Sequence, residues 1–358
     1  MSNSVSIIIP VFNAASTIEA TLESIRSEIA NSPEVSWDVI AVDDGSTDGS
    51  LDVLESWQSQ LPLKALTLGH TGGPASPRNL GIQEATSEFV FFLDSDDVLI
   101  PGGLRTAVRY AIENGSDLVL PRLVSLDGRG VPRGMYSKNQ PDVNLENSRI
   151  YWALNPMKLI RRSLLIENDI KFNTELSVGE DQPFSALTYL HAEKISVLSN
   201  PPAVGVRYTK SATNLTLQVK PASAYFELLG TMAQIISDSK LNDDAKQFIW
   251  IRHWEIEIAR ELVWNSLGTQ DSGEWPDILK KLHCLASFHL IPGMLPKTSI
   301  RWRGIVGLIG SANFANLEKL VEGRKLVLEN RSWISKVRGV LISNWIRLKS
   351  TIFLSKNF

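Results

Sequence analysis

The sequence predicts an α/β protein: a doubly wound, mostly parallel sheet flanked by helices, followed by a helical C-terminal domain. Three observations carry this. Short apolar runs alternate with segments of helical period through the first third of the 358 residues, the β-α-β-α-β order of such sheets. Two of those runs end in acidic turns, Asp43-Asp44 and Asp94-Ser95-Asp96-Asp97, and open α/β sheets bind ligands outside the carboxyl ends of their strands. After Pro221 the strand signals stop and helical spacing takes over.

Val5–Ile9 reads as a buried strand ended by Pro10. Ser16-Thr17-Ile18-Glu19 has capping-box spacing, and Ile18, Leu22, Ile25 and Ile29 continue as one helical face. Asp38–Val42 is the second strand, and Leu51, Leu54 and Trp57 mark the helix after it. Leu63–Leu68 is the third strand, and Gly69–Ala75 is a glycine-rich loop. Ser76-Pro77 predicts an N-cap with proline at the first helical position, which puts Arg78 and Asn79 in the first turn. Phe89–Leu93 is apolar throughout and so buried on both faces. A helix from about Gly102 to Asn114 and a strand at Leu118–Leu120 follow. Asp127-Gly128-Arg129-Gly130 predicts a hairpin turn. A helix after Gly179-Glu180-Asp181 runs through His191, and Ile195–Leu198 and Val204–Tyr208 read as strands. The boundary falls at 218, giving a sheet domain over 1–218 and a helical domain over 219–358. In the latter, Tyr225, Leu228, Leu229, Met232, Ile235 and Ile236 share one helical face, and a second helix spans about Asp244–Leu267.

With 43% hydrophobic and 21% charged residues the chain can bury a sizeable core. Its net charge of −3 is unevenly placed. From Lys297 onward twelve Lys/Arg face three Asp/Glu, a net +9, so the preceding 296 residues carry −12. A basic tail on an acidic body points to an anionic partner. The single cysteine, Cys284, excludes an internal disulfide and fits a reducing compartment. His283, Cys284 and His289 lack zinc-site spacing. No run has the ~18 apolar residues of a membrane span, and Val5–Ile9 is too short for a signal-peptide core. A cytoplasmic protein is expected.

Three carboxylates within four positions at the end of a buried strand need counter-charge, because unpaired charge there costs several kcal/mol. A divalent cation such as Mg²⁺ or Mn²⁺ takes carboxylate oxygens and shares them with phosphates. Each feature also has a plainer reading. Short acidic triplets are common in solvated loops. Asp and Gly make turns, so Gly45 and Asp48 need no ligand. Glu180-Asp181 suits any helix N-terminus. Gly69–Gly73 lacks the Gly-Lys-Ser/Thr of a P-loop. No Gly-x-Gly-x-x-Gly follows the first strand and no Gly-x-Ser-x-Gly elbow is present, which argues against dinucleotide oxidoreductases and serine hydrolases.

Taken in order, Ile7–Asn13, Val42–Asp48, Pro77–Gly81, Asp94–Asp97 and Gly179–Asp181 resemble the successive signatures of family 2 glycosyltransferases with the GT-A fold. The resemblance covers about the first 215 residues. It implies that Pro10, Val11 and Phe12 border the base of a UDP-sugar, and that Asp44 accepts from the uracil N–H. It places Arg78 toward the nucleotide, Asp94 and Ser95 at the ribose or sugar, and Asp96 on Mn²⁺ or Mg²⁺. It makes Asp181 the general base of an inverting transfer, with Glu180 beside it. Arg207 and Ser211 would close over the diphosphate from a basic loop whose plain reading is an ordinary surface loop.

A looser similarity, through Gly179–Phe184, the Arg207–Ser211 loop and the helical extension, points to bacterial enzymes that decorate wall teichoic acid or related surface polymers. It implies an N-acetylhexosamine or hexose donor and a polymer or glycan acceptor, anionic in the teichoic acid case; no nucleic-acid partner is expected. Two rivals stand beside this reading. A non-catalytic nucleotide-sugar-binding protein of the same fold is disfavoured by Asp96 and Asp181 both being present. A nucleotidyltransferase would release pyrophosphate. The final stripe, Ile334, Val337, Leu341, Trp345, Leu348 and Ile352 with Lys336, Arg338, Arg347 and Lys349 interleaved, suits packing within its domain or against a second copy, or else contact with the inner face of the cell membrane.

Overall fold

The first strand, β1 (Ser4–Val11), is buried along nearly its whole length and lies between two parallel neighbours. These are β2 (Ser36–Asp43) and β4 (Phe89–Phe92), and β3 (Leu63–Thr67) extends the sheet beyond β2. The computed structural model describes residues 3–207 apart from 129, 132 and 147, and residues 220–267, 275–289 and 298–317. The chain divides into two units, Met1–Leu217 and Gln218–Phe358.

Proline does not end β1, contrary to the sequence expectation. Pro10 pairs in register with Val42. Its missing N–H falls on the β4 side, where the ladder has already closed at Ile8–Phe92. The helix α1 (Ile18–Ala30) lies where expected, but the capping box does not form. Thr17 is its N-cap and makes no side-chain cap bond. The chain before α1 is held from a distance instead, by Ala14 N–H donating to Ser50 Oγ (2.8 Å) and Ala15 N–H to Asp48 Oδ2 (2.9 Å). The helix α2 (Ser50–Trp57) follows β2, and α3 (Ala75–Glu84) follows β3. The latter starts before the expected Ser76 cap, so Arg78 N–H closes its first turn on Pro74 O (3.0 Å). It packs against β1 and β2, where a side chain at Gly81 would meet Ile8 Cγ2 at 2.3 Å.

Beyond β4 come β5 (Val98–Leu99), α4 (Gly103–Asn114), β6 (Leu118–Pro121), β7 (Leu123–Ser125) and β8 (Gln140–Val143). They are followed by β9 (Leu159–Arg161), α5 (Arg162–Glu167), α6 (Asp181–His191), β10 (Ile195–Leu198) and β11 (Val204–Val206). Among the described residues the main sheet has eight strands in the order β3-β2-β1-β4-β9-β6-β10-β8, and β5-β11-β7 form a second sheet. Two members are unexpected: β8, antiparallel to β10, and β9, which runs antiparallel to both β4 and β6. The hairpin expected at 127–130 does not form. A turn is present, with Gly128 N–H on Ser125 Oγ, but β7 pairs in parallel with β11 and β8 pairs with β10.

The core is aromatic where it supports α6. Phe172 and Phe184 stack at 3.9 Å between ring centroids, and Phe92 meets both edge-on.

In the second unit, α7 (Ala222–Asp238) buries Tyr225, Leu228, Leu229 and Met232. Asn242 caps α8 (Asp243–His253) by accepting from Ala245 N–H at 2.9 Å. The expected second helix continues to Leu267, with π-helical winding over Trp254–Leu267. The helices α9 (Trp275–His289) and α10 (Ile300–Gly310) complete what is described. A buried ion cluster ties the α8 end together: Glu257 accepts from Arg252 at 2.6 Å and faces His253 Nδ1 at 3.0 Å. Burial pushes the Glu257 carboxyl up, but Arg252 and then His253 outweigh it and hold it at about 2. Among the described residues no helix is long and apolar enough to cross a membrane. The apolar stripe predicted over 334–352 lies outside the described residues.

Candidate active site

Because β1, β2 and β4 are parallel, the loops after them open at one rim of the sheet. Two clusters form there.

The first cluster surrounds Asp44, which is 2% exposed. Its carboxylate accepts from Thr71 N–H (3.0 Å) and Thr71 Oγ (2.6 Å) and lies 3.1 Å from His70 Nδ1. His70 in turn stacks on Phe12, with centroids 4.3 Å apart and planes 17° from parallel. The acidic turn itself is built by Asp43, whose Oδ2 accepts from Gly45 and Ser46 N–H, while Ser46 Oγ accepts from Asn13 N–H. Pro10 and Val11 are buried beneath it. Gly45 has φ +78°, and a Cβ there would lie 2.9 Å from His70 N. Gly45→Ala is expected to destabilise the protein by about 1–3 kcal/mol, read as a lower Tm.

The second cluster is charged. Arg78 is 5% exposed, and its two terminal nitrogens donate to Asp94 Oδ1 and Glu180 Oε1, each at 2.9 Å. Its guanidinium lies 5.2 Å over the Phe172 ring. Burial alone would lower the Arg78 pKa, but Asp94, Glu180 and Asp181 together raise it, so the charge is fixed. Asp181 opens α6 with Glu180 as its N-cap residue, a position where the helix dipole favours a carboxylate.

The acidic loop is anchored by Thr21, whose hydroxyl donates to the carbonyls of Ser95 (3.1 Å) and Asp97 (2.7 Å). One carboxylate oxygen from each of Asp94, Asp96 and Asp97 lies within 4.8 Å of the other two. This all-oxygen donor set suits a hard divalent cation. Asp97 is fully buried and accepts from Arg207 N–H at 2.8 Å, whereas Asp94 and Asp96 are half-buried.

Of the residues expected from the sequence, Arg78, Asp94, Glu180 and Asp181 therefore come together, with Asp96 and Ser95 beside them. Phe12 and Asp44 gather in the other cluster. The Arg78 guanidinium spans two carboxylates, and the Asp44 carboxylate is engaged by Thr71. Arg207 reaches the acidic loop through its backbone N–H, and Ser211 lies outside the described residues. His70 and Thr71 were missed: in the sequence they are only part of a glycine-rich loop, with no periodicity or charge to mark them.

Sheet order, flanking helices and acidic loops at the carboxyl rim together define a GT-A-type α/β protein. The glycosyl transferase family 2 profile matches residues 6–172. The chain is 40% identical over 196 residues to the poly(ribitol-phosphate) beta-N-acetylglucosaminyltransferase TarS of Staphylococcus aureus, covering 54% of this chain and 34% of that protein. It is 32% identical over 299 residues to the poly(ribitol-phosphate) beta-glucosyltransferase of Bacillus spizizenii, covering 80% of this chain and 45% of that one. It thus spans about a third to under a half of the length of these relatives. The crystal structure of residues 1–349 of S. aureus TarS in complex with UDP-GlcNAc superposes with a TM-score of 0.77 at 29% identity, over 90% of each chain. Over residues 6–172 the chain carries a glycosyl transferase family 2 domain.

Proposed function

We propose that this chain is an inverting, metal-assisted glycosyltransferase that moves an N-acetylhexosamine or hexose from a UDP-sugar to a hydroxyl of an anionic surface polymer. The observation that carries the reading is the grouping of Asp181, Arg78, Asp94 and Glu180 beside the Asp94–Asp97 triplet. Similarity to two poly(ribitol-phosphate) glycosyltransferases supports the acceptor class, and similarity to a UDP-GlcNAc complex supports the donor.

In this reading Asp181 takes the proton of the attacking hydroxyl as the new glycosidic bond forms, and the sugar–diphosphate bond breaks with inversion. Glu180, fixed by Arg78, orients the sugar or acceptor. Asp96, with Asp94, would hold Mn²⁺ or Mg²⁺, which when bound neutralises charge on the departing diphosphate. Phe12 presents an exposed ring face to the base, and Asp44 meets its N–H by exchanging the Thr71 bond. The second unit and the basic segment after position 296 draw in the polyanionic acceptor, or anionic lipid at the inner face of the membrane, and offer a surface for self-association.

The test is UDP release from a panel of UDP-sugars, with and without poly(ribitol phosphate). Acceptor-dependent release supports the reading; UDP binding without turnover on any acceptor would support a non-catalytic protein of the same fold. Phe12, 37% exposed, gives a second measurement. Base–aromatic stacking is worth about 1–3 kcal/mol, so titration calorimetry on Phe12→Ala should show UDP binding weakened about ten-fold, with Tm nearly unchanged.

A further inference from the structure

Lys158 is a buried amine whose hydrogen-bonded partners are neutral. It stands directly before β9 and is 2% exposed. Its Nζ donates to the Asn155 carbonyl and, at 3.1 Å, to Ser185 Oγ, and it lies 5.2 Å over the Tyr189 ring. Ser185 and Tyr189 follow Asp181 by four and eight residues, so they share a face of α6 with it. The same segment grips α6 twice more. Ser185 Oγ donates to Leu154 O (2.8 Å), and Tyr189 OH donates to Ala153 O (2.7 Å). Burial pulls the Lys158 pKa from 10.5 to about 7, opposed by the carboxylate of Asp181. An apolar side chain would fill this slot without the desolvation penalty.

We infer that Lys158 is a positioning residue for Asp181, seating the first turns of α6 and holding a positive potential at that carboxylate. The inference rests on Asp181 being the base of the proposed transfer. No motif marked Lys158, because only the fold brings it under α6.

The test is Lys158→Met, which keeps the length and removes the charge. We expect kcat to fall about ten-fold or more, the scale of a misplaced catalytic group, with the KM for UDP-sugar unchanged. The acid limb of the kcat–pH profile should move to higher pH, because a carboxylate that loses a neighbouring cation is protonated more readily. Lys158 carries its proton throughout that acidic range, and Arg78, another cation bearing on Asp181, and the adjacent Glu180 carboxylate are present in both proteins. Tm should hold or rise, and Lys158→Arg should restore the limb. Unchanged kcat, or an unmoved acid limb, overturns the inference. Should Lys158→Met not fold, Ser185→Ala decides: it releases Nζ from α6 and should lower kcat at constant KM, and wild-type kcat there overturns the proposal. The base assignment is tested separately. If Asp181→Asn retains full turnover, that reading falls first. If Asp181→Asn is dead while Lys158→Met has a wild-type profile, only the present inference falls.

Discussion

Asp181→Asn is expected to abolish sugar transfer while leaving UDP-sugar binding intact. The amide keeps the size of the carboxylate and the start of α6, but it cannot accept the hydroxyl proton. A positioned general base contributes about 10²–10⁴-fold, so acceptor-dependent UDP release should drop by at least the lower figure. Binding should persist because the Arg78 bonds to Asp94 and Glu180 do not pass through Asp181. Stopped-time UDP release beside calorimetric titration with UDP-sugar separates the two effects. Normal turnover in the variant would refute the base assignment.

Asp96→Ala is expected to remove the metal dependence of UDP binding. Disturbing even an outer partner of a metal ligand costs about 10–100-fold in affinity, and losing a ligand should cost at least as much. Titration of UDP with and without Mn²⁺ reads this directly: the wild type should bind more tightly with the ion, and the variant should bind equally in both. Asp97→Ala provides the contrast. Asp97 is fully buried and holds the backbone of Arg207, so its loss should lower Tm as well as binding. Persistent Mn²⁺ dependence in Asp96→Ala would move the ligand to a neighbouring carboxylate.

What the sequence revealed, and what it hid, follows from the range of the forces involved. β4 was legible because Phe89–Phe92 is apolar at every position, as burial on both faces demands. The acidic loops were legible because their charge stands at the ends of such strands. β9 was not legible. Its three residues have no period of their own, and pairing on both sides decides their state. The Ser16–Glu19 spacing marked the start of α1 but not how the chain before it is held, which falls to Ser50 and Asp48, more than thirty residues away. The chemistry of Arg78 was half visible. Its helix could be placed from the sequence, but its partner Glu180 lies 102 residues further along the chain, and no local pattern predicts that pair. Thr71 was hidden in the same way behind a loop that reads only as flexible backbone.

The antiparallel insertion of β9 between β4 and β6 bears on how this protein can be cut and how it folds. A fragment ending near residue 125 would hold both flanking strands but not the segment that joins them. Each would then present a bare row of backbone donors and acceptors, the template on which chains aggregate. The half that carries the first two acidic loops should therefore be insoluble when expressed alone, and recovery needs the polypeptide through Leu198, because β6 also pairs with β10.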